Sequence, residues 1–252
     1  QHLLFPRQEH RLEHKVLHVV GSPGIGTTTA LRMLAGASPE HILTPDTEIR
    51  WTLKHPWAFI GHYEGKILDG GDRVARHANL MCLEYWKRNI LMNSHFKYTI
   101  LDGEMYLWTR ILEEFKSKRL QFVEPEDTKY HLGGMYYREQ NRVVDSLLYP
   151  DLDKVPDLKI GCVHLVAPLE LCLSRRRNRE ANAEAGATIN SDRHMQTAAS
   201  KQNNFALKFQ SEPDPFFIEE GSEPSLSYLK LDAEKLTPEE ISAQIKNFME
   251  SF

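Results

Sequence analysis

Gly21 and Gly26 stand five positions apart, and the run Gly21-Ser22-Pro23-Gly24-Ile25-Gly26-Thr27-Thr28-Thr29 has the residue types of a phosphate cradle. Glycines let successive backbone N–H groups turn into one concavity, and the positive end of a following helix adds partial charge there. A hydroxyl at the position of Thr28 reaches a phosphate-bound Mg2+. Lysine is expected one residue earlier, and Thr27 stands in its place. The run therefore assigns Gly21, Ser22, Gly24, Ile25, Gly26, Thr27, Thr28 and Thr29 to nucleotide phosphates, against the plainer alternative of a structural turn between a strand and a helix.

Carboxylates and cations recur downstream. Thr44-Pro45-Asp46-Thr47-Glu48 follows an apolar run, and a carboxylate there can take the proton of an attacking hydroxyl; Asp46 is the first candidate and Glu48 the second, the alternative being a turn after proline. Glu48 is also a candidate substrate contact. Asp102, at the end of Tyr98-Thr99-Ile100-Leu101, suits a Mg2+-organising role, and Glu104 could take that role or contact the substrate. An ordinary Asp-Gly turn is the alternative. Arg73 and Arg76, after Asp69-Gly70-Gly71, could present two cations to a substrate phosphate, or could belong to a solvated first helical turn capped by Asp72. Arg175-Arg176-Arg177-Asn178-Arg179 is a dense cationic knot. Arg175, Arg177 and Arg179 could clamp phosphate from a lid over roughly 175–195, because the following Glu180 to Ala187 is rich in small residues; the alternative is cations complementing a helix dipole. Trp51, Trp57, Phe59 and Tyr63 could stack on a nucleobase, Trp51 and Tyr63 being the substrate candidates, or could be core rings.

These residues need a frame to hold them. Strand-length apolar runs, Val16 to Val20, His41 to Thr44, Tyr98 to Leu101, Ile160 to Val166 and Tyr228 to Leu231, alternate with helical stretches at Asp72 to Met92, Glu104 to Lys118, Pro168 to Arg179, Asp192 to Phe209 and Pro238 to Phe252. That alternation predicts a parallel sheet covered by helices. The 252 residues, 41% hydrophobic and 26% charged, suit one globular domain over residues 1–252. A net charge of -4 argues against a dedicated nucleic-acid surface. Cys82, Cys162 and Cys172 lack ligand spacing, which points to free thiols in a reducing cytoplasm. No apolar run approaches the ~18 residues of a membrane span.

Together the loop, Thr44-Pro45-Asp46, Asp102, Leu165-Val166-Ala167-Pro168-Leu169-Glu170 leading into the arginines, and the closing Tyr228 to Ala233 with its amphipathic tail resemble the P-loop nucleoside and nucleotide kinases, deoxynucleoside and thymidylate kinases among them. The resemblance implies an α/β fold of three layers, α/β/α, with a five-stranded parallel sheet and an arginine-bearing lid. It implies ATP and Mg2+ as cofactors, phosphoryl transfer to a small nucleoside or nucleotide acceptor, and adenine near Asp232. Asp102-Gly103-Glu104 differs from the Asp-Arg of thymidylate kinases and the Glu-Arg-Ser of deoxynucleoside kinases. A second reading puts the accepting hydroxyl on a nucleic acid or modified base. A third is a nucleotide-binding module without turnover, with Thr27 marking lost catalysis.

Overall fold

The structure, a computed structural model, describes residues 13–44, 49–65, 69–71, 82, 85–91, 93–103, 156–181, 196, 197, 200 and 226–252. Its frame is a mixed sheet, seven-stranded among the described residues, in the order β2-β3-β4-β5-β1-β6-β7. The strands are β1 (Glu13–Val20), β2 (Glu40–Thr44), β3 (Ile49–Lys54), β4 (Trp57–Ile60), β5 (Tyr98–Asp102), β6 (Asp157–Val166) and β7 (Leu226–Asp232). The neighbours from β4 to β7 pair in parallel, whereas β2 with β3 and β3 with β4 are antiparallel. β1 lies inside the parallel block, flanked by β5 and β6, and its residues from His14 to Val20 are all buried. A strand covered on both faces is expected to be apolar nearly throughout, as Val16 to Val20 is apart from His18.

Two sequence expectations are corrected here. Among the described residues the sheet has seven strands and is mixed, its parallel part being the five strands β4-β5-β1-β6-β7, where a purely parallel sheet of five was expected. His41 to Thr44 is the outer strand of a hairpin, and the strand beside β5 is Trp57–Ile60. Physical reasons are visible in the residues. Ile49, Trp51 and Leu53 alternate with Arg50, Thr52 and Lys54, the period of a strand with two unlike faces, while Trp-Ala-Phe-Ile is a short run buried at every position.

Helix α1 (Thr27–Ala35) follows β1, α2 (Leu169–Ala181) follows β6, and α3 (Pro238–Ser251) follows β7. α1 and α3 pack together and share a core with Leu17, Val19, Phe59, Ile100, Val163 and Leu231 on one sheet face. Ile241, Ile245 and Met249, four apart, give α3 its buried stripe. On the opposite face a π-helical turn (Trp86–Leu91) brings Trp86 to Thr99, so helical layers flank the sheet on both sides. At the far end of the sheet from the glycine loop, Lys15 donates to the carbonyls of Met249 and Glu250 at 3.0 and 3.3 Å, capping the last turn of α3 with a cation.

Polar groups inside the sheet are joined in chains. The Trp86 indole N–H donates to Thr99 Oγ1 at 2.7 Å, the Thr99 hydroxyl meets His14 Nε2 at 2.8 Å, and His14 Nδ1 meets the Phe96 carbonyl oxygen at 3.2 Å. That order makes Nδ1 the protonated ring nitrogen and Nε2 the acceptor of the Thr99 hydroxyl proton. Burial pushes the His14 imidazole down from 6.5 to about 4, and burial pushes His18, fully enclosed, down to about 3. Both histidines are therefore neutral in the folded chain and protonate first in the unfolded one, so stability is complete above pH 6.5 and declines as pH falls toward 4. Urea titrations are expected to lose about 2 kcal/mol per histidine between pH 7.5 and pH 5. A His14→Gln variant is expected to show a visibly shallower pH slope, and an unchanged slope would remove His14 from the account.

Candidate functional site

β1 ends at Val20, and the chain turns through Gly21 to Gly26 into α1. The turn is tightened by the Ile25 N–H donating to the Ser22 carbonyl oxygen at 3.0 Å. Gly24 has φ 88° and passes so close to α2 that an added Cβ would stand 2.5 Å from the Cys172 carbonyl oxygen. Gly26, the N-cap of α1, has φ 108° and nothing within 4 Å of where a Cβ would stand. No side chain caps α1. α3 differs: Thr237 and Glu240 close a capping box, with Thr237 Oγ1 accepting from the Glu240 N–H at 3.2 Å. The glycine loop thus leads into a helix start without a side-chain cap, on the open side of a bend that only glycine adopts readily.

The neighbouring strand supplies a carboxylate. Parallel pairing sets Val19 opposite Asp102, and the Gly103 N–H donates to the Val19 carbonyl oxygen at 2.9 Å. Asp102, 7% exposed, accepts on Oδ2 from the Thr28 hydroxyl at 3.0 Å and from the Tyr63 hydroxyl at 3.3 Å. Three candidates far apart in sequence are thereby brought together. Thr28 gives its proton to Asp102, so its oxygen keeps lone pairs. Two hard oxygen donors next to a phosphate cradle suit Mg2+, which fills its other positions with water and phosphate. Among the described residues no group of three or more His, Cys, Asp or Glu could hold a metal.

Other candidates are placed differently. Trp51, an expected substrate contact, is wholly buried on β3, its indole N–H donating to the Cys82 carbonyl oxygen at 3.2 Å. Residues 45–48, Asp46 and Glu48 among them, lie outside the described residues; the strands before and after them, β2 and β3, form the antiparallel edge of the sheet. Arg73, Arg76 and Glu104 also lie outside the described residues. Arg175 to Arg179 belong to the continuous helix α2, and residues 182–195, the rest of the expected lid, fall outside the description. Arg175 Nη1 donates to the Ile25 carbonyl oxygen at 3.1 Å, so one arginine of the knot touches the glycine loop itself. Arg177 is exposed, and the Arg179 side chain lies outside the description. Asp232 ends β7 at the surface, where Lys235 at 3.0 Å holds its carboxyl below the usual carboxylate range.

Two residues of the site were passed over in the sequence. Asp69, 2% exposed, receives Arg32 Nη2 at 2.7 Å, Arg32 Nε at 3.2 Å, and the N–H groups of Glu64 and Gly65 at 2.9 and 2.8 Å. The adjoining Gly70, φ 61°, presses on Asp102: an added Cβ would stand 2.3 Å from Oδ2 and 3.1 Å from both Thr28 and Tyr63 carbon atoms. Asp-Gly-Gly was the available signal, but it is shared by ordinary turns.

No family model matches the chain, and no curated protein matches it in sequence. Among solved structures it is similar to a deoxyadenosine kinase from M. mycoides with products dCMP and a flexible dCDP bound, with TM-score 0.36, 11% identity, and 94% of this chain and 100% of that chain covered. A likeness of that size leaves the function to be read from the site.

The crowding at Gly70 makes a prediction. Gly70→Ala is expected to lose ~2–3 kcal/mol in urea denaturation, from left-handed strain plus displacement of the Asp102 carboxylate, whereas Gly36→Ala, with φ 70° and open space, loses only ~1. Equal losses would show that Gly70 does not press on the carboxylate.

Proposed function

We propose that this chain is an ATP- and Mg2+-dependent phosphotransferase whose acceptor is a nucleoside, nucleotide or similar small molecule. The observation that carries the reading is the meeting of Thr28, at the first turn of a helix with no side-chain cap, with Asp102 from the adjacent parallel strand at 3.0 Å. Phosphoryl transfer asks little covalent chemistry of a protein; it needs phosphates held in place and their charge neutralised. Backbone N–H groups from Gly21 to Thr29 would hold the phosphates. Thr28 and Asp102 would hold Mg2+, which when bound supplies that neutralisation.

Thr27 leaves the loop one cation short, and Arg175 is the residue best placed to replace it. It is exposed, it is anchored on Ile25 by a single N–H, and the guanidinium's other donors can turn toward phosphate oxygens. Arg177 and Arg179 are the further clamp candidates, on the same helix and leading into the lid proposed for 175–195. Tyr63 would border the acceptor, with Arg73, Arg76 and Glu104 as its other candidate contacts. The acceptor's proton would pass to a carboxylate, Asp46 or Glu48 being the candidates, and adenine would lie near Asp232. The reading takes 1–252 as a single domain. Cys82, Cys162 and Cys172 are buried and form no disulfide, which supports a reducing cytoplasmic setting, and among the described residues no helix is long and apolar enough to cross a membrane.

Labelled ATP with Mg2+, offered nucleosides, nucleotides and short oligonucleotides in parallel, tests the proposal. Transfer is expected to the small acceptors, and Asp102→Asn is expected to slow it ~10²-fold or more. Binding of ATP without transfer to any acceptor would leave a nucleotide-binding module instead.

Arginine compensation has its own test. Arg175→Ala is expected to lower turnover by ~10³-fold or more with little change in ATP affinity, the scale of an arginine acting on transferring phosphate. Thr27→Lys in that background is expected to recover part of the loss. Normal turnover in Arg175→Ala, or no recovery with lysine, would remove Arg175 from the role.

A further inference from the structure

Asp102 has the glycine loop on one side, because β1 is its neighbour, and residues 61–65 and 69–71 on the other, because they follow β4. With donor phosphates in the loop, an acceptor must approach from the second side. These residues form a wall there. The Gly70 N–H donates to the His62 carbonyl oxygen at 2.7 Å, and at Gly61 an added Cβ would stand 1.8 Å from the Gly70 carbonyl oxygen, so the two pieces lie backbone on backbone. Hydrogen bonds from Gly61, His62 and Tyr63 hold the wall to the sheet, and what ties it to α1 is a buried charge. Asp69 collects four donors on two oxygens, two of them from Arg32 and two from the segment's own backbone at Glu64 and Gly65.

Arg32 sits on α1 one turn beyond Thr28, and residues four apart share a helix face. The same face of α1 therefore offers a hydroxyl to Asp102 and a guanidinium to Asp69, while Gly70 lies against Thr28 itself. The Arg32 guanidinium matches the charge of the Asp69 carboxylate, and this contact is the latch between α1 and the wall. We propose that Arg32 and Asp69 couple the acceptor-side wall, residues 61–65 and 69–71, to the nucleotide-binding helix, so that filling the loop also sets the wall against Asp102. Asp69 is then a positioning residue, and the proposal rests on the nucleotide-binding reading above.

Hydrogen exchange of the full chain with and without ATP and Mg2+ reads the coupling directly. In the wild type, nucleotide is expected to slow exchange about fivefold or more at Gly24, Gly26 and Thr27, and also at Gly65 and Gly70, which lie off the loop. Arg32→Met, on a side chain 36% exposed, is expected to fold and to keep the loop's response while the response at Gly65 and Gly70 falls below about twofold. Arg32→Lys, which keeps the charge, is expected to recover part of it, and Asp69→Asn to repeat the Arg32→Met pattern. Slowing confined to the loop in the wild type, or an undiminished response at Gly65 and Gly70 in Arg32→Met, would overturn the latch alone. No slowing anywhere would overturn the nucleotide-binding reading and the latch with it.

Discussion

The parallel pairing of β1 with β5 is the constraint on which the site depends. It sets Val19 opposite Asp102, so the glycine loop leaves one strand beside the carboxylate that leaves the other. A parallel pair cannot be joined by a tight turn, and the chain between Val20 and Tyr98 makes the long crossover that includes α1 and the hairpin. Residues Thr28, Tyr63, Asp69 and Gly70 all come from that crossover. Asp102 then becomes the point where helix, strand and returning segment meet, through two hydroxyls on one oxygen and a glycine with no room for a side chain.

Charge inside this fold is handled in two ways. Asp69 is ionic and buried, and it is tolerable because four donors surround it. His14 and His18 are buried in the middle of the sheet and remain neutral, since desolvation disfavours their charged forms. The two solutions differ in what they join. A neutral histidine wired to Thr99 and Phe96 ties neighbouring strands behind the loop, whereas the ion pair ties α1 to the residues that follow β4.

The glycine loop itself is held from below and open above. Gly24 lies against the start of α2, Ile25 is buried in the core with Leu165, and Arg175 reaches back to the Ile25 carbonyl oxygen. α2 is thus a second support for the loop, and it carries the densest cationic run of the chain. In the proposed function Arg175, held on the loop's own backbone, supplies the cation that Thr27 does not.

The glycine spacing, the triple threonine and the strand before them were legible in the sequence because backbone phosphate cradles demand particular residues at particular offsets. Asp102 was legible as a strand-end carboxylate for a similar reason. The alternation in Ile49 to Lys54 was also present, and it marked an antiparallel hairpin that a search for apolar runs passes over. Trp51 and Tyr63 show the limit. Both are aromatic residues in the same stretch, yet one faces the core beneath the helical layer and the other places its hydroxyl on Asp102. Arg32 carried no signal, being a helix cation of an ordinary kind, and Asp69 only the Asp-Gly-Gly that ordinary turns share. Local chemistry is written in short-range spacing and can be read from it. Which distant groups share an oxygen is decided only when strand order and register bring them together, because hydrogen bonds act over about 3 Å and sequence separation says nothing of that distance.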